Sequence, residues 1–525
     1  MGAHERIIGW RSGGVKRSGR YGASRFVLNR GRGLSYNTAG RRTRAAPIFP
    51  FPRKEAGMLR DIIKKEILDN ITSPKFVFTF LLCTVLILLS VYTGVANYRA
   101  EKKEYTAALA LNKKNMEAQP NYQSLAGIGV KISKAPQVLG TVVTGVEEAV
   151  GRVAPVNIAA DPNLVDSKYG SNPVFAVFGS LDLMFIVKIV LSLFAILFTY
   201  DAIVGEKEKG TLKLALSNEV PRDRLILGKA IGGYISLLLP LLVPLVLSLL
   251  ILLVMPDLSL GGQDWGRLFL IFLMFFLYLS VFFSLGLFVS ARTQRSSTSF
   301  LVLLFVWVVF VMVIPKAAVI TAGQLKPIPS VHEITAKKDA FLQQIQSEGQ
   351  KGALEWVQKN QPDAQKDPKG FQEKFRQFIQ DYQQQLTSKI DENNAALERD
   401  YQQKKRAQQA LAVNLSRISP ASALTFGSMS LARTGIDEYD RFLASVRAYK
   451  PIYTKWINSK LGESINFQTG QSTNIKIDDM PQHVYQAEWL SRSLVRTIPD
   501  FVLLTVMIIV FFVGAYVSFL RYDVR

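Results

Sequence analysis

The sequence predicts an all-α polytopic membrane protein with six transmembrane helices, and three observations predict it. Six apolar runs stand apart along the 525 residues, each about as long as the roughly 20 helical residues that cross a hydrocarbon core of ~30 Å. The basic residues of the short loops gather on one side of the path those runs describe, as positively charged loops do on the cytoplasmic face. Between the fifth and sixth runs lies a long polar segment whose apolar residues recur every three or four positions, the period of a helix that buries one face.

Composition agrees. With 49% hydrophobic residues the chain is too apolar for a string of ordinary soluble domains. Its single cysteine, Cys83, lies inside the first apolar run, which excludes an intrachain disulfide and a thiolate metal centre. The net charge of +22 would suggest nucleic acid in a soluble protein. About half of it, however, comes from residues 1–57, an Arg-, Gly- and Ser-rich stretch that cannot bury a core. That extension is expected to be disordered. It reads either as an Arg-rich, acid-poor organellar transit peptide or as sequence upstream of the true start at Met58, where an amphipathic helix begins.

The elements follow in order. Residues 58–75 place Leu59, Ile62, Ile63 and Ile67 at helical spacing, with Arg60, Lys64 and Lys65 between them; such a helix lies on a membrane surface among anionic headgroups. The spans are expected at 76–98, 183–203, 230–254, 268–290, 299–320 and 501–520. They leave extramembrane segments at 99–182 and 321–498, a loop at 204–229, short loops at 255–267 and 291–298, and a tail at 521–525. The loop at 204–229 carries Lys207, Lys209, Lys213, Arg222, Arg224 and Lys229, the loop at 291–298 carries Arg292 and Arg295, and the tail carries Arg521 and Arg525. These sides are expected to be cytoplasmic, so both termini are inside and the two large segments outside.

Within the spans, Pro240, Pro244 and Pro315 each delete a helical hydrogen bond; they read either as hinges or as static kinks. Lys188 is the candidate intramembrane functional residue, because a cation at that depth suggests a substrate or ion path. Lying about one and a half turns inside the edge of its span, it could equally snorkel to headgroups. Asp182, at i, i+6, is too far along the helix to pair with it locally.

The loop from Tyr200 to Gly233 is the most informative stretch. Gly205 is expected to end the second span, Gly210 to allow a tight bend, and Thr211 to cap the next turn. Leu212, Leu214 and Leu216 emerge beside Lys213, and Arg222 opens the helix that re-enters the membrane. Alternating acids and bases on a compact projecting loop suit docking in a groove of a soluble partner. Residues Asp201, Gly205, Glu206, Glu208, Gly210, Thr211, Leu212, Leu216, Ser217, Arg222, Leu227, Gly228 and Lys229 resemble the signature of the ABC-2 type transporter permeases. Within that family they look most like the subgroup of the nitrous oxide reductase maturation and gliding-motility permeases. Residues 416–450 resemble the region before the last span in the branch with large extracytoplasmic insertions.

The resemblance implies a type V ABC exporter-like bundle in a bacterial cytoplasmic membrane. It implies that the loop is the coupling element, with Asp201, Gly205, Glu206, Glu208, Gly210, Thr211, Leu212, Arg222, Arg224 and Lys229 contacting a separate ATPase subunit. ATP and Mg belong to that partner, and a second permease, identical or paralogous, completes the assembly.

Outside the membrane, 99–182 is a smaller mixed domain, a charged helix followed by short strands and turns, whereas 321–498 is mostly helical. Phe371, Phe375, Phe378, Tyr382, Leu386, Ile390, Leu397 and Tyr401 form a stripe along an uninterrupted helix. Its partner is expected to be the helix at 336–359 or a second permease, with an extracytoplasmic substrate or accessory protein as the sharper alternative. The sequence holds no G-x-x-x-x-G-K-[ST] loop, no G-x-S-x-G turn and no His or Cys at metal-ligand spacing. No chemistry, cofactor or metal site is therefore expected in this chain, and no nucleic acid partner. The rival readings are a membrane-anchored scaffold or sensor, and a mechanotransmitting subunit that passes no substrate.

Overall fold

The computed structural model describes residues 53–522 apart from 159–160, 168–180, 218–219, 256–257, 259, 367 and 465–474. The basic extension at 1–52 lies outside the described residues. Among the described residues six helices are long and apolar enough to cross a membrane, and the protein is a helical polytopic membrane protein.

Helix α1 (Arg53–Ile71) precedes the first span and begins earlier than the expected residue 58. Its half-buried face carries Leu59, Ile62, Ile63, Glu66 and Ile67, while Arg60, Lys64 and Lys65 stay exposed. The chain turns at Ser73, whose hydroxyl accepts from the Phe76 amide at 3.2 Å, and Pro74 opens α2 (Pro74–Glu117). At 44 residues, α2 crosses the membrane and continues well beyond it without a break. The second span is α3 (residues 183–199), which bends through a short turn into α4 (Val204–Glu208). Then come α5 (Thr211–Ser217), α6 (Arg222–Val254), α7 (Gly262–Arg292) and α8 (Ser296–Leu325).

The core gathers on α7. Ile271, Met274, Phe275, Tyr278, Leu279 and Phe282 are all fully buried on one face of that helix, which neighbouring helices must cover, while Phe269 on the other side stays exposed. Those neighbours are α3, α11 (Pro420–Ala432) and α13 (Leu490–Leu520), the last span. Pro240 and Pro244 lie inside the continuous α6. Two spans contain a wider, π-helical turn, at Ile186–Leu191 in α3 and Val309–Val313 in α8. Each such turn frees a backbone carbonyl, and neighbouring side chains take these up: the Tyr278 hydroxyl donates to the Lys188 carbonyl at 2.8 Å, and Ser419 donates to the Phe310 carbonyl.

Beyond the bundle, α9 (Val331–Lys366) and α10 (Pro368–Ser416) form an antiparallel hairpin. The apolar stripe of α10 meets the same chain, as the simpler expectation had it: Trp356 lies 5.5, 5.4 and 5.2 Å from the rings of Phe371, Phe375 and Phe378. The far half of α8 packs along α10, where Gln408 donates to the Lys326 carbonyl at 2.7 Å.

The two extramembrane segments, treated separately in the sequence, share one core. Strands β1 (Val130–Ser133) and β2 (Val153–Val156) pair antiparallel, Val130 opposite Val156. Their buried faces, with Met116, Tyr122 and Leu125, pack against Phe442, Val446, Tyr453 and Ile457 of α12 (Ile436–Ser464). Ionic contacts join this domain to the spans. Arg267, wholly buried near the start of α7, donates to the carbonyls of Leu431 at 2.9 Å and Glu488 at 2.6 Å and to Ser493 at 3.0 Å. Arg433 pairs with Asp264, Arg441 with Glu488, and Arg417 with the buried Asp500, each at 2.8 Å.

Candidate functional site

The loop between the second and third spans is a built structure. Gly210 stands between α4 and α5 with φ +72°, a left-handed conformation glycine adopts without strain. This is the tight bend read from the sequence. The Thr211 hydroxyl turns back toward the Glu206 carbonyl at 3.4 Å. Gly205 does not end a helix; it sits within α4, its amide donating to the Asp201 carbonyl at 2.9 Å, so the second span continues, bent, to Glu208.

Most of the loop's charges face their own chain. Lys229, at 4% exposure, bridges Glu206 at 2.8 Å and Glu66 at 3.3 Å. It thereby ties together α6, the end of the second span and α1. Burial raises the pKa of Glu66 above the usual carboxylate range, and the Lys229 ammonium opposes that rise. The approach of α1 depends on two glycines of α6. A Cβ on Gly228 would sit 2.4 Å from Ile62 Cγ2, and one on Gly232 would sit 2.8 Å from Glu66 Cβ and 3.0 Å from the Ile63 carbonyl. Small residues let membrane helices close to this distance.

The remaining residues complete the anchorage. Asp201 receives the Lys75 ammonium at 2.6 Å, from the start of α2. Glu208 accepts from the Ser296 amide at 3.0 Å and from its hydroxyl, so it caps α8. Lys207 donates to the carbonyls that end α7, including Thr293 at 3.2 Å, and the Ser290 hydroxyl accepts from the Ile203 and Val204 amides, each at 3.1 Å. Arg222 donates to the carbonyls of Leu520 at 2.8 Å and Tyr522 at 2.9 Å, capping the last span. Arg224 lies 3.7 Å from Asp223. Leu212 is buried at 1% exposure.

What faces outward is therefore narrower than the sequence suggested. Glu208, Lys209, Thr211, Lys213, Leu214 and Ser217 are exposed, Glu208 while bonded to Ser296, and Leu214 stands 65% open. Glu206 and Glu208, read as docking charges, have intrachain partners instead. Sequence reasoning missed Glu66, Lys75, Gly232 and Ser296. The signal for Glu66 was present: it is an acid sharing the helical face of Ile62, Ile63 and Ile67.

This fold defines a class, the multi-pass helical membrane proteins. The profile described as ABC-2 family transporter protein matches residues 60–524, and the chain belongs to that family, as the loop signature implied. It is similar to the "Probable ABC transporter permease protein NosY" of Stutzerimonas stutzeri, with 32% identity over 128 residues, 24% of this chain and 45% of the relative. The protein of the same description from Pseudomonas aeruginosa is 34% identical over 149 residues, 26% of this chain and 52% of the relative. The chain spans about half the length of the curated relatives it matches.

Proposed function

We propose that this chain is the transmembrane subunit of an ABC exporter in a bacterial cytoplasmic membrane, with both termini cytoplasmic, and that the tip of α5 docks on a separate ATPase subunit carrying ATP and Mg. One observation supports the docking surface above others. The loop is pinned to α1, α6, α7 and α8 through Glu206, Lys207, Glu208 and Lys229, while Leu214 projects between Lys213 and Ser217, 65% exposed among the described residues. An apolar knob on a rigid base can transmit a push. Closure of the ATPase subunits on ATP would move the tip, and the ionic ties would carry that motion into four helices as a biased two-state element. Asp201, Gly205, Gly210, Thr211, Leu212, Arg222 and Arg224 shape and anchor the tip in this reading. A second permease, identical or paralogous, completes the bundle.

The test is affinity purification of the chain from its native membranes, followed by mass spectrometry. An ATPase subunit should copurify, and L214D should reduce its recovery at least about tenfold, the cost of ~1.4 kcal/mol at an apolar anchor. A surface change of this kind leaves the melting temperature nearly unmoved. Undiminished recovery with L214D and with K213E would rule out the tip as the docking surface.

A mechanotransmitting role has its own support. Helix α10 runs unbroken for 49 residues, about 70 Å at ~1.5 Å per residue, and ends beside the Arg417–Asp500 pair on the last span. Replacing the distal turns of the α9–α10 hairpin with a short loop would spare an exporter and silence a lever.

A further inference from the structure

The two π-helical turns face one crevice. A cavity of about 410 Å³ is lined by Lys188 from the first turn, Val311 from the second, Pro315 and Val319 further along α8, and residues of α10 and α11 that include Ala412 and Phe426. Its size falls in the range of small-molecule sites, roughly 300–1,000 Å³. Val319 is 61% exposed on the outer surface of α8, so the crevice opens where acyl chains would lie. Lys188 is the only charged residue in the lining, which otherwise consists of apolar side chains with Gln, Ser and Thr.

Lys188 is half-buried and has no hydrogen-bond or ion-pair partner among the described residues. Asp182, the acid whose charge acts on Lys188, makes no ion pair with it and is engaged elsewhere, accepting from the Thr144 amide at 3.0 Å and the Phe185 amide at 2.7 Å. The turn that carries Lys188 is fixed from behind, its carbonyl accepting from Tyr278 at 2.8 Å and from Ser192 at 2.6 Å, and Ser192 in turn accepting from the Trp307 indole at 2.8 Å. A cation with no hydrogen-bond or ion-pair partner among the described residues, on a fixed turn at the head of an apolar slot open to lipid, is complementary to one kind of molecule. We infer that this crevice binds an acyl-chain amphiphile with an anionic head group, the head on Lys188 and the chain along Val311, Pro315 and Val319.

The inference concerns binding alone and holds or fails independently of ATPase docking. The full chain is reconstituted in vesicles doped with photoreactive diazirine-acyl phosphatidylglycerol or with phosphatidylcholine bearing the same chain, and crosslinks are mapped by peptide mass spectrometry. Phosphatidylglycerol should label segments 309–319 and 412–426 at least fivefold more than phosphatidylcholine does. K188Q should bring the two lipids to parity, K188R should keep the preference, and A412W should reduce labelling by both. Excess glycerol phosphate, which lacks the chain, should not compete. Equal labelling by the two lipids in the unaltered chain would overturn the inference without recourse to any variant. So would a preference that persists in K188Q, or labelling confined to other lipid-facing helices.

Discussion

The loop junction and the α9–α10 hairpin are held together by opposite means. At the junction a nearly inaccessible lysine bridges two carboxylates from different helices, and two glycines let a third helix close in. In the hairpin an aromatic stripe zips two neighbouring helices, and the charges lie outside as i, i+4 pairs such as Glu333 with Lys337 and Asp400 with Lys404. Exposed pairs of that kind contribute little, because water and salt screen them. A buried charge that loses its partner costs several kcal/mol. The junction is thus brittle and specific, suited to passing movement between helices, whereas the hairpin is stiff by virtue of a redundant apolar seam.

The sharpest way to break this contrast is to remove the lysine. K229M leaves Glu66 and Glu206 facing each other without a counter-charge, and we expect a loss of about 3–5 kcal/mol, read as a fall in melting temperature of the detergent-solubilised chain. Adding E66Q and E206Q to K229M should recover much of that loss. A K229M chain that melts with the parent would mean the triad carries no stability. E206K would set two ammonium groups against each other in a buried place, so it should perturb the bundle before it perturbs docking. G232V comes next. Its side chain would meet Glu66 and the Ile63 carbonyl, an overpacking that costs about 1–3 kcal/mol and should detach α1, measurable as faster hydrogen exchange across 59–67.

How much of each region the sequence disclosed follows from the same contrast. The hairpin was legible because its stabilisation is local: Phe371 to Tyr401 and their partner Trp356 sit within one contiguous stretch, and period alone reveals a stripe. The spans were legible because membrane thickness sets their length. The loop's shape was partly legible in Gly210, whose backbone needs no partner to explain it. Lys229 and Glu66, 163 positions apart, were not, since nothing in the sequence near either residue calls for the other. The π-helical turns were invisible for a like reason, because they are sustained by Tyr278 and Ser419 on distant helices. The small sheet reads as mixed sequence because its apolar face is completed by Phe442 and Tyr453, some three hundred positions later.

The hairpin side of the comparison is sharpened by W356A. Trp356 stacks on three phenylalanine rings, and aromatic contacts add about 0.5–1.5 kcal/mol per pair beyond burial. With three such pairs we expect a local loss of at least about 1.5 kcal/mol, visible as protease cleavage near 356–378 with the melting of the spans unmoved. If the whole bundle melts earlier in W356A, hairpin and bundle form one cooperative unit, and a lever role for α10 gains support.

The smallest expected effect lies in the shared extramembrane core. His483 packs edge-on against Phe442 and Tyr449, its Nε2 3.0 Å from the Ser445 hydroxyl, and burial lowers its pKa below the usual 6.5. The folded domain therefore holds the neutral ring, and the unfolded chain binds the extra proton. Stability from this group is complete above pH 6.5 and is lost as pH falls through the lowered folded value. Between pH 7.5 and pH 5 the parent should lose on the order of one or two degrees of melting temperature more than H483Q does. Equal slopes in the two chains would show that protonation of this ring is tolerated in the packed state. The aromatic cage around it would then be wetter than its contacts imply, and the extramembrane core looser than the junction at the opposite end of the bundle.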